Sequence, residues 1–404
     1  MSYLMTSEFV TVGHPDRVCD QVAAEIINEI YKKDGKAAHA AIEVAMFNKR
    51  CLIGGEATTS LTEDDIVAIA KHAVASVGYN DKYRKRFSEK DCYVAADYEY
   101  EYVVNRQSPD IAQGVGSDRG WNDQGIYFGY AESSNDTRMG YAHAVAKYLG
   151  DSLYIEGLKE DSIFGIDIKT QVTVQTNSNP NEPEIITAIT IAAPVLAGTP
   201  TEEARAAIKT VAEAALANSN YKNLLNENIK WIINGTGAYT IHGSMGDSSL
   251  TGRKIVVNGF GGYAPHGGGS AIKPAHASDR MLPLVGRYIA KAVVDAEIAT
   301  RCTVSLATAI GQKELQSLRI DTHGACNAQT EKELVDFFNK NIDFSPAGIN
   351  DLFDTYEKNN FDDVVFSNFM GGDKTTQPWE GTDSVVGQLR DELPWLYAAP
   401  EQLA

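Results

Sequence analysis

The chain has 404 residues, 43% of them hydrophobic, and a formal net charge of −18. That length is a prior for two or three domains with ample apolar material for cores. The acidic balance excludes general nucleic-acid binding, which needs a basic excess against phosphates, and no apolar run approaches a membrane span. Five cysteines (Cys19, Cys51, Cys92, Cys302, Cys326) stand far apart with no CxxC, which reads as reduced thiols. Residues 1–10 lack a basic stretch followed by an apolar one, so no secretory leader is expected and a cytoplasmic location is.

In chain order, an extended segment (Met1 to Thr11) leads to Gly13-His14-Pro15-Asp16, where a helix is expected to start. Pro15 suits the first helical position and Asp16 the positive end of the helix. Val18, Val22, Ile26, Ile27 and Ile30 share one helical face, and Gly35 ends it. Two strands (Ala38 to Met46, Cys51 to Ala57) precede an amphipathic helix at Thr62 to Val77, opened by the capping box Thr62/Asp65. A strand is expected near Cys92 to Ala96.

The order then returns. Arg138 to Leu149 reads as a helix ending at Gly150, Asp167 to Gln175 and Glu184 to Ala193 as strands, Thr201 to Ala217 as a helix, and Ile229 to Ile233 as a strand. A third round has a helix from Arg280 to Ile298, strands near Thr303 to Ala309 and Leu318 to Thr322, and a helix from Glu331 to Asn341. Helix, two strands, helix, strand recurs, which predicts an α+β protein of three similar units, each a sheet with helices on one face. The expected domains are 1–110, 111–238 and 239–404. The polar, glycine-rich stretch 107–125 between the first two has the length and composition of a lid.

The richest stretch runs from Gly246 to Arg280. Asp247 opens it, a turn carries Arg253 and Lys254, and Ile255 to Val257 reads as a short buried strand. A loop holding Gly259, Gly261, Gly262, Gly267, Gly268 and Gly269 follows, then Ser270, Lys273 and Asp279. Glycines let a backbone approach a ligand closely, and cations with a nearby acid suit a polyphosphate with its metal ion. The loop is no Walker A, because Lys273 does not directly follow the last glycine. It is no dinucleotide fingerprint either, because the strand-turn-helix frame with its later acid is missing. Local logic stops at an anionic, phosphate-like ligand.

Taken whole, the stretch resembles the methionine adenosyltransferase (S-adenosylmethionine synthetase) family. So do Gly13-His14-Pro15-Asp16, Gly54-Gly55-Glu56, Gln107-Ser108-Pro109-Asp110-Ile111, Asp123-Gln124-Gly125, Asp167 to Val172 and Pro378-Trp379-Glu380, in the family's order over nearly the whole chain. The resemblance implies three domains in pseudo-threefold arrangement. It implies an enzyme that joins ATP and L-methionine into S-adenosylmethionine and hydrolyses the leaving triphosphate to pyrophosphate and phosphate. A neutral thioether needs no general base, and the demand falls on stabilising the leaving group.

By resemblance, His14 donates to the oxygen leaving C5′ or to the phosphates, and Lys169, Arg253, Lys254 and Lys273 clamp the triphosphate with Ser270. Asp167 meets the adenosine part and Tyr239 stacks on adenine. Asp247, Glu56, Gln107, Asp123 and Ile310 lie at or near methionine. Asp16 and Asp279 are implied as ligands of Mg2+, two ions per site, and Glu43 as a K+ ligand. Asp167 and Lys169, two apart, are expected on one strand face. A homo-oligomer is implied, a dimer with shared sites or a dimer of dimers. Glu56, Gln107 and Asp123 stand early in the chain and the clamp stands late, so Asp123 and Lys273 are expected to serve one site from opposite chains.

Five departures stand out: Arg17 where the family has lysine, Ala238 where it has arginine before the adenine aromatic, Ala277 where a second lysine is usual, Gly120-Trp121-Asn122-Asp123-Gln124-Gly125 at the family's G-x-G-D-Q-G block, and a short lid. Each missing cation weakens phosphate or carboxylate contacts by ~1–3 kcal/mol if nothing substitutes. Two other readings stand beside the transferase: an ATP or triphosphate phosphohydrolase on the same fold, and a weak nucleotide-binding homologue.

Overall fold

The computed structural model describes residues 2–36, 38–105, 120–177, 182–354 and 370–397. Among these described residues, three sheets carry the fold. In chain order the elements begin with β1 (Tyr3–Val10), α1 (Pro15–Asp34), β2 (His39–Phe47), β3 (Arg50–Thr58), α2 (Glu63–Ser76), the one-turn α3 (Asp81–Arg84) and β4 (Glu99–Asn105). There follow β5 (Gly125–Glu132), α4 (Tyr141–Gly157), β6 (Lys169–Thr176), β7 (Pro183–Ala192), α5 (Thr201–Ala217) and β8 (Lys230–Ile233). The last group is β9 (Ser249–Leu250), α6 (Ile255–Asn258), α7 (Ser278–Asp295), β10 (Arg301–Thr308), β11 (Ser317–Asp321), α8 (Ala328–Asn341), α9 (Pro346–Phe353) and α10 (Asp383–Glu392).

The expected rhythm of helix, strand pair and helix is present, and the sheets exchange strands around it. The sheet orders are β4-β3-β2-β9, β1-β6-β7-β8 and β11-β10-β5. The strand ahead of each leading helix therefore joins a sheet other than that helix's own strand pair. β1 precedes α1 and pairs antiparallel with β6; β5 precedes α4 and pairs with β10; β9 precedes α7 and pairs with β2. Helices cover one face of each sheet. α1 packs on β2 and β9, α4 on β1 and β6, and α7 on β5 and β10. β6 and β10 alternate buried and more accessible residues accordingly.

Chain contacts divide the molecule into two compact units. One takes in residues 2–105 and Tyr141–Val257 and holds the first two sheets; the other takes in 120–140 and the described residues from Asn258 on, with the third sheet. In the second, Gly129 of β5 and Gly286 of α7 meet so closely that a Cβ on Gly129 would lie 1.8 Å from the Gly286 carbonyl carbon. One residue further, the fully buried Arg287 donates to both oxygens of Glu380 at 2.9 Å and to the carbonyls of Tyr130, Thr137 and Arg138. The Pro378-Trp379-Glu380 block thus lies against α7 as a structural tie.

Four local expectations are corrected. Ile255 to Val257 is no strand; it opens the one-turn helix α6, and Val256 is 47% exposed. The strand expected at Cys92 to Ala96 starts later, at Glu99, because the Asp97 carboxylate accepts from Val94 N and turns the chain first. The helix expected at Arg138 to Leu149 is Tyr141–Gly157. Gly150 does not end it but lets it approach β1, where a Cβ would sit 2.6 Å from the Phe9 ring. Finally, α1 is buried nearly all round, including Arg17, Asp20, Gln21, Glu25 and Asn28.

Candidate active site

The start of α1 places two of the expected residues. His14 is the N-cap, extended in backbone and 1% exposed; its Nδ1 accepts from the Asp16 amide at 3.2 Å. With Nδ1 accepting, the ring proton sits on Nε2, which is a donor. Burial holds the imidazole well below its usual pKa, and Lys254, Lys169, Arg17 and Arg253 push the same way. His14 is therefore a neutral donor among four cations. Asp16, also 1% exposed, ion-pairs through Oδ2 with Lys254, and its Oδ1 lies 3.7 Å from Arg253 Nε.

The turn bearing Arg253 and Lys254 is fastened on two sides. Leu250 and Ser249 pair with Ala45 and Met46 of β2, and Thr251 N donates to Val44 O at 2.9 Å. From α1, Asp16 Oδ1 accepts from Leu250 N at 3.0 Å and Asp20 Oδ1 from Gly252 N at 2.9 Å. Gly252 has φ +74°, a conformation side chains rarely adopt. Glu43, exposed on β2, accepts from the Thr251 hydroxyl.

Asp167 and Lys169 do not share a strand face. β6 begins at Lys169, which is exposed, whereas Asp167 precedes it and is 7% exposed, its Oδ2 accepting from Gly243 N at 3.0 Å. Burial raises the Asp167 carboxyl to about 6; the Gly243 amide and Lys169 oppose this, and Asp247 and Asp16 add to it. Tyr239 donates its hydroxyl to the Asp167 carbonyl at 2.8 Å and is half-buried; Ala238 beside it is exposed. Asp247 is exposed, and Glu56, half-buried on β3, stands opposite Ala41 of β2 and Asn105 of β4. The first unit thus gathers His14, Asp16, Asp167, Lys169, Tyr239, Asp247, Arg253 and Lys254.

The second unit holds another set. Asp279 lies in the first turn of α7, half-buried. Burial pushes its carboxyl up, Lys273 pulls it down and Asp123 pushes it up again. A Cβ on Gly269 would lie 2.1 Å from Asp279 Oδ1, so a side chain there would displace that carboxylate. Ser270 accepts from Ile272 N at 3.1 Å, Asp123 is exposed, and Ile310 is 61% exposed. Asp123 and Lys273 both act on the Asp279 carboxyl within one chain. Gln107 and most of the expected lid lie outside the described residues. No described helix is long and apolar enough to cross a membrane.

Sequence reasoning missed Asp20, although its spacing of four from Asp16 puts both acids on one side of a helix. It also missed His242, whose Nε2 lies 2.8 Å from the Tyr83 hydroxyl beside the Asp167 segment. No local pattern signals that pair. A groove of about 410 Å³ beside Arg205, Lys209 and Trp231 shares no residue with either set.

Models of three domains match the chain in order: the N-terminal domain of S-adenosylmethionine synthetase over residues 2–108, the central domain over 118–239 and the C-terminal domain over 241–381. The chain is 36% identical over 359 residues to the S-adenosylmethionine synthase of Acholeplasma laidlawii, across 86% of this chain and 89% of that one. Among solved structures it resembles an unusual S-adenosylmethionine synthetase from Campylobacter jejuni, with a TM-score of 0.87 and 31% identity over 96% of this chain and 99% of that one. Matches over all three domains and nearly the full length leave one conclusion: the chain belongs to the S-adenosylmethionine synthetase family.

Proposed function

We infer that the chain is a methionine adenosyltransferase: it joins ATP and L-methionine into S-adenosylmethionine and hydrolyses the triphosphate to pyrophosphate and phosphate. The observation that carries the residue-level reading is the buried, neutral His14 among Lys169, Arg253 and Lys254. A charged imidazole would be repelled by these cations. A neutral one donates Nε2–H to an oxygen gaining charge, while the cations stabilise the departing triphosphate. Asp167, held beside Tyr239, receives the adenosine part. Asp247, Glu56, Gln107, Asp123 and Ile310 serve methionine, and acids there favour the sulfonium as it forms.

Asp16 and Asp279 would hold Mg2+. No cluster of three or more His, Cys, Asp or Glu side chains suited to a metal occurs among the described residues. Magnesium is ordinarily held by one or two carboxylates together with substrate phosphates and water, and Asp16 and Asp279 would each supply one such carboxylate. A cation at Asp279 would also relieve its repulsion from Asp123. When bound, magnesium supplies charge neutralisation on the phosphate oxygens. Glu43, with the Thr251 hydroxyl against it, is the residue assigned to K+.

Incubation of the full chain with ATP, methionine and magnesium should yield S-adenosylmethionine by mass spectrometry, with pyrophosphate and phosphate. ATP consumption without a sulfonium product at saturating methionine would overturn the transferase reading in favour of a phosphohydrolase.

The active unit is proposed to be at least a homodimer, one chain supplying the His14 set and its twofold mate the Lys273 set. Mixing inactive Lys254→Ala and Lys273→Ala chains under subunit exchange should restore activity, since a mixed dimer keeps one intact site. No recovery despite proven exchange would show that each chain builds its site alone.

A further inference from the structure

We propose that Asp20 is a positioning residue for the cationic turn that carries Arg253 and Lys254. The inference rests on the reading of that turn as a triphosphate clamp. Asp16 and Asp20 sit one helical turn apart on α1, 1% and 0% exposed. Each spends one oxygen on the backbone of the turn: Asp16 on Leu250 N at 3.0 Å, Asp20 on Gly252 N at 2.9 Å. An amide held by a carboxylate makes a charge-assisted hydrogen bond, stronger than one between neutral groups. The two bonds straddle Thr251, which is itself tied to Val44 of β2 through its amide and hydroxyl.

Gly252 is the last residue before the two cations, and its φ of +74° sets their direction. Asp16 has a second task, since its other oxygen pairs with Lys254. It therefore cannot hold the turn independently of what the cation does. If Lys254 moves to a phosphate, the Leu250 bond and the pairing change on one carboxylate. Of the two carboxylate bonds from α1, the Asp20–Gly252 bond is the one on a carboxylate that Lys254 does not pair with. Asp20 would thus keep the turn in place while the cations engage ligand, a pre-organisation that appears in binding and in the chemical step.

Asp20 also offsets the buried Arg17, so Asp20→Ala alone risks misfolding. The double variant Arg17→Met with Asp20→Ala removes both charges at similar volume, and Arg17→Met alone is its control. Inorganic tripolyphosphate affinity is measured by calorimetry, kcat and KM for ATP by steady-state assay, and amide exchange over residues 249–254 by mass spectrometry. Asp20→Ala, or the double variant, should lose about tenfold or more in tripolyphosphate affinity and kcat, with faster exchange in that peptide. Asp20→Asn keeps an oxygen acceptor for Gly252 N and should recover most of the loss. Wild-type affinity, kcat and exchange in folded Asp20→Ala or in the double variant would overturn the proposal. Lys254→Ala separates the two levels. Lost affinity there, with none lost at Asp20, overturns the positioning role alone. Unchanged affinity in Lys254→Ala overturns the clamp reading and the proposal with it.

Discussion

Asp167→Asn should make the protein more stable and less active. The carboxyl is 7% exposed and its pKa is raised from an ordinary 3.8 to about 6, chiefly by burial. At 1.36 kcal/mol per tenfold change, that gap corresponds to about 3 kcal/mol held against folding wherever the group is ionised. The native chain binds this proton more tightly than the unfolded chain does. Wild-type stability from this group is therefore full below 3.8, falls as pH rises through about 6, and stays low above it. Asparagine carries no charge and still offers an oxygen to Gly243 N, which now donates to Oδ2 at 3.0 Å.

Urea unfolding of both proteins between pH 4 and 8, followed by hydrogen exchange of β6 peptides, measures the difference. The variant should gain on the order of 3 kcal/mol at pH 7.5, and the gain should shrink as pH falls through 6 and vanish near 4. The ATP KM should rise, because the reading gives Asp167 the adenosine part. Equal stability at pH 7.5 would refute the claim that this carboxylate is paid for by the fold, and a gain independent of pH would refute the assigned cause.

Arg253→Ala and Lys273→Ala should lower kcat by one to several powers of ten with a smaller change in the KM for ATP, since their charges act most on the leaving triphosphate. Steady-state kinetics decide this: an unchanged kcat with a raised KM would show ground-state holding only. Glu380→Ala leaves the fully buried Arg287 without its carboxylate and should cost about 3–5 kcal/mol in urea unfolding, most of it from the unpaired charge. A loss below about 1 kcal/mol would mean that the three backbone carbonyls suffice for the guanidinium.

Much of the element order was legible because its signals are local. The helix expected at Thr201 to Ala217 has those bounds, the Thr62/Asp65 capping box forms, and Pro15 begins α1 after His14. Each rests on neighbours within one or two turns. The candidate site residues stand in the structure where local signals put them, with His14 and Asp16 on one helix start and Arg253 and Lys254 on one turn.

Tertiary structure decided what depends on distant partners. β1 reads only as an extended segment and β5 and β9 are not among the expected strands, yet each joins a sheet built from another part of the chain, a choice made by edges far away in sequence. Gly150 carries a stop signal that the Phe9 ring overrides, because only glycine lets α4 lie against β1. Asp167 and Lys169 alternate as strand neighbours should, but the strand starts between them, and burial then separates a raised carboxyl from an exposed amine. Asp123 and Lys273 stand far apart in the chain and both act electrostatically on Asp279, and Asp20 reaches Gly252, because folding closes those long loops in exchange for polar interactions. Periodicity and caps carry information over a few residues; a pairing across more than a hundred is set by which surfaces the folded sheets leave open.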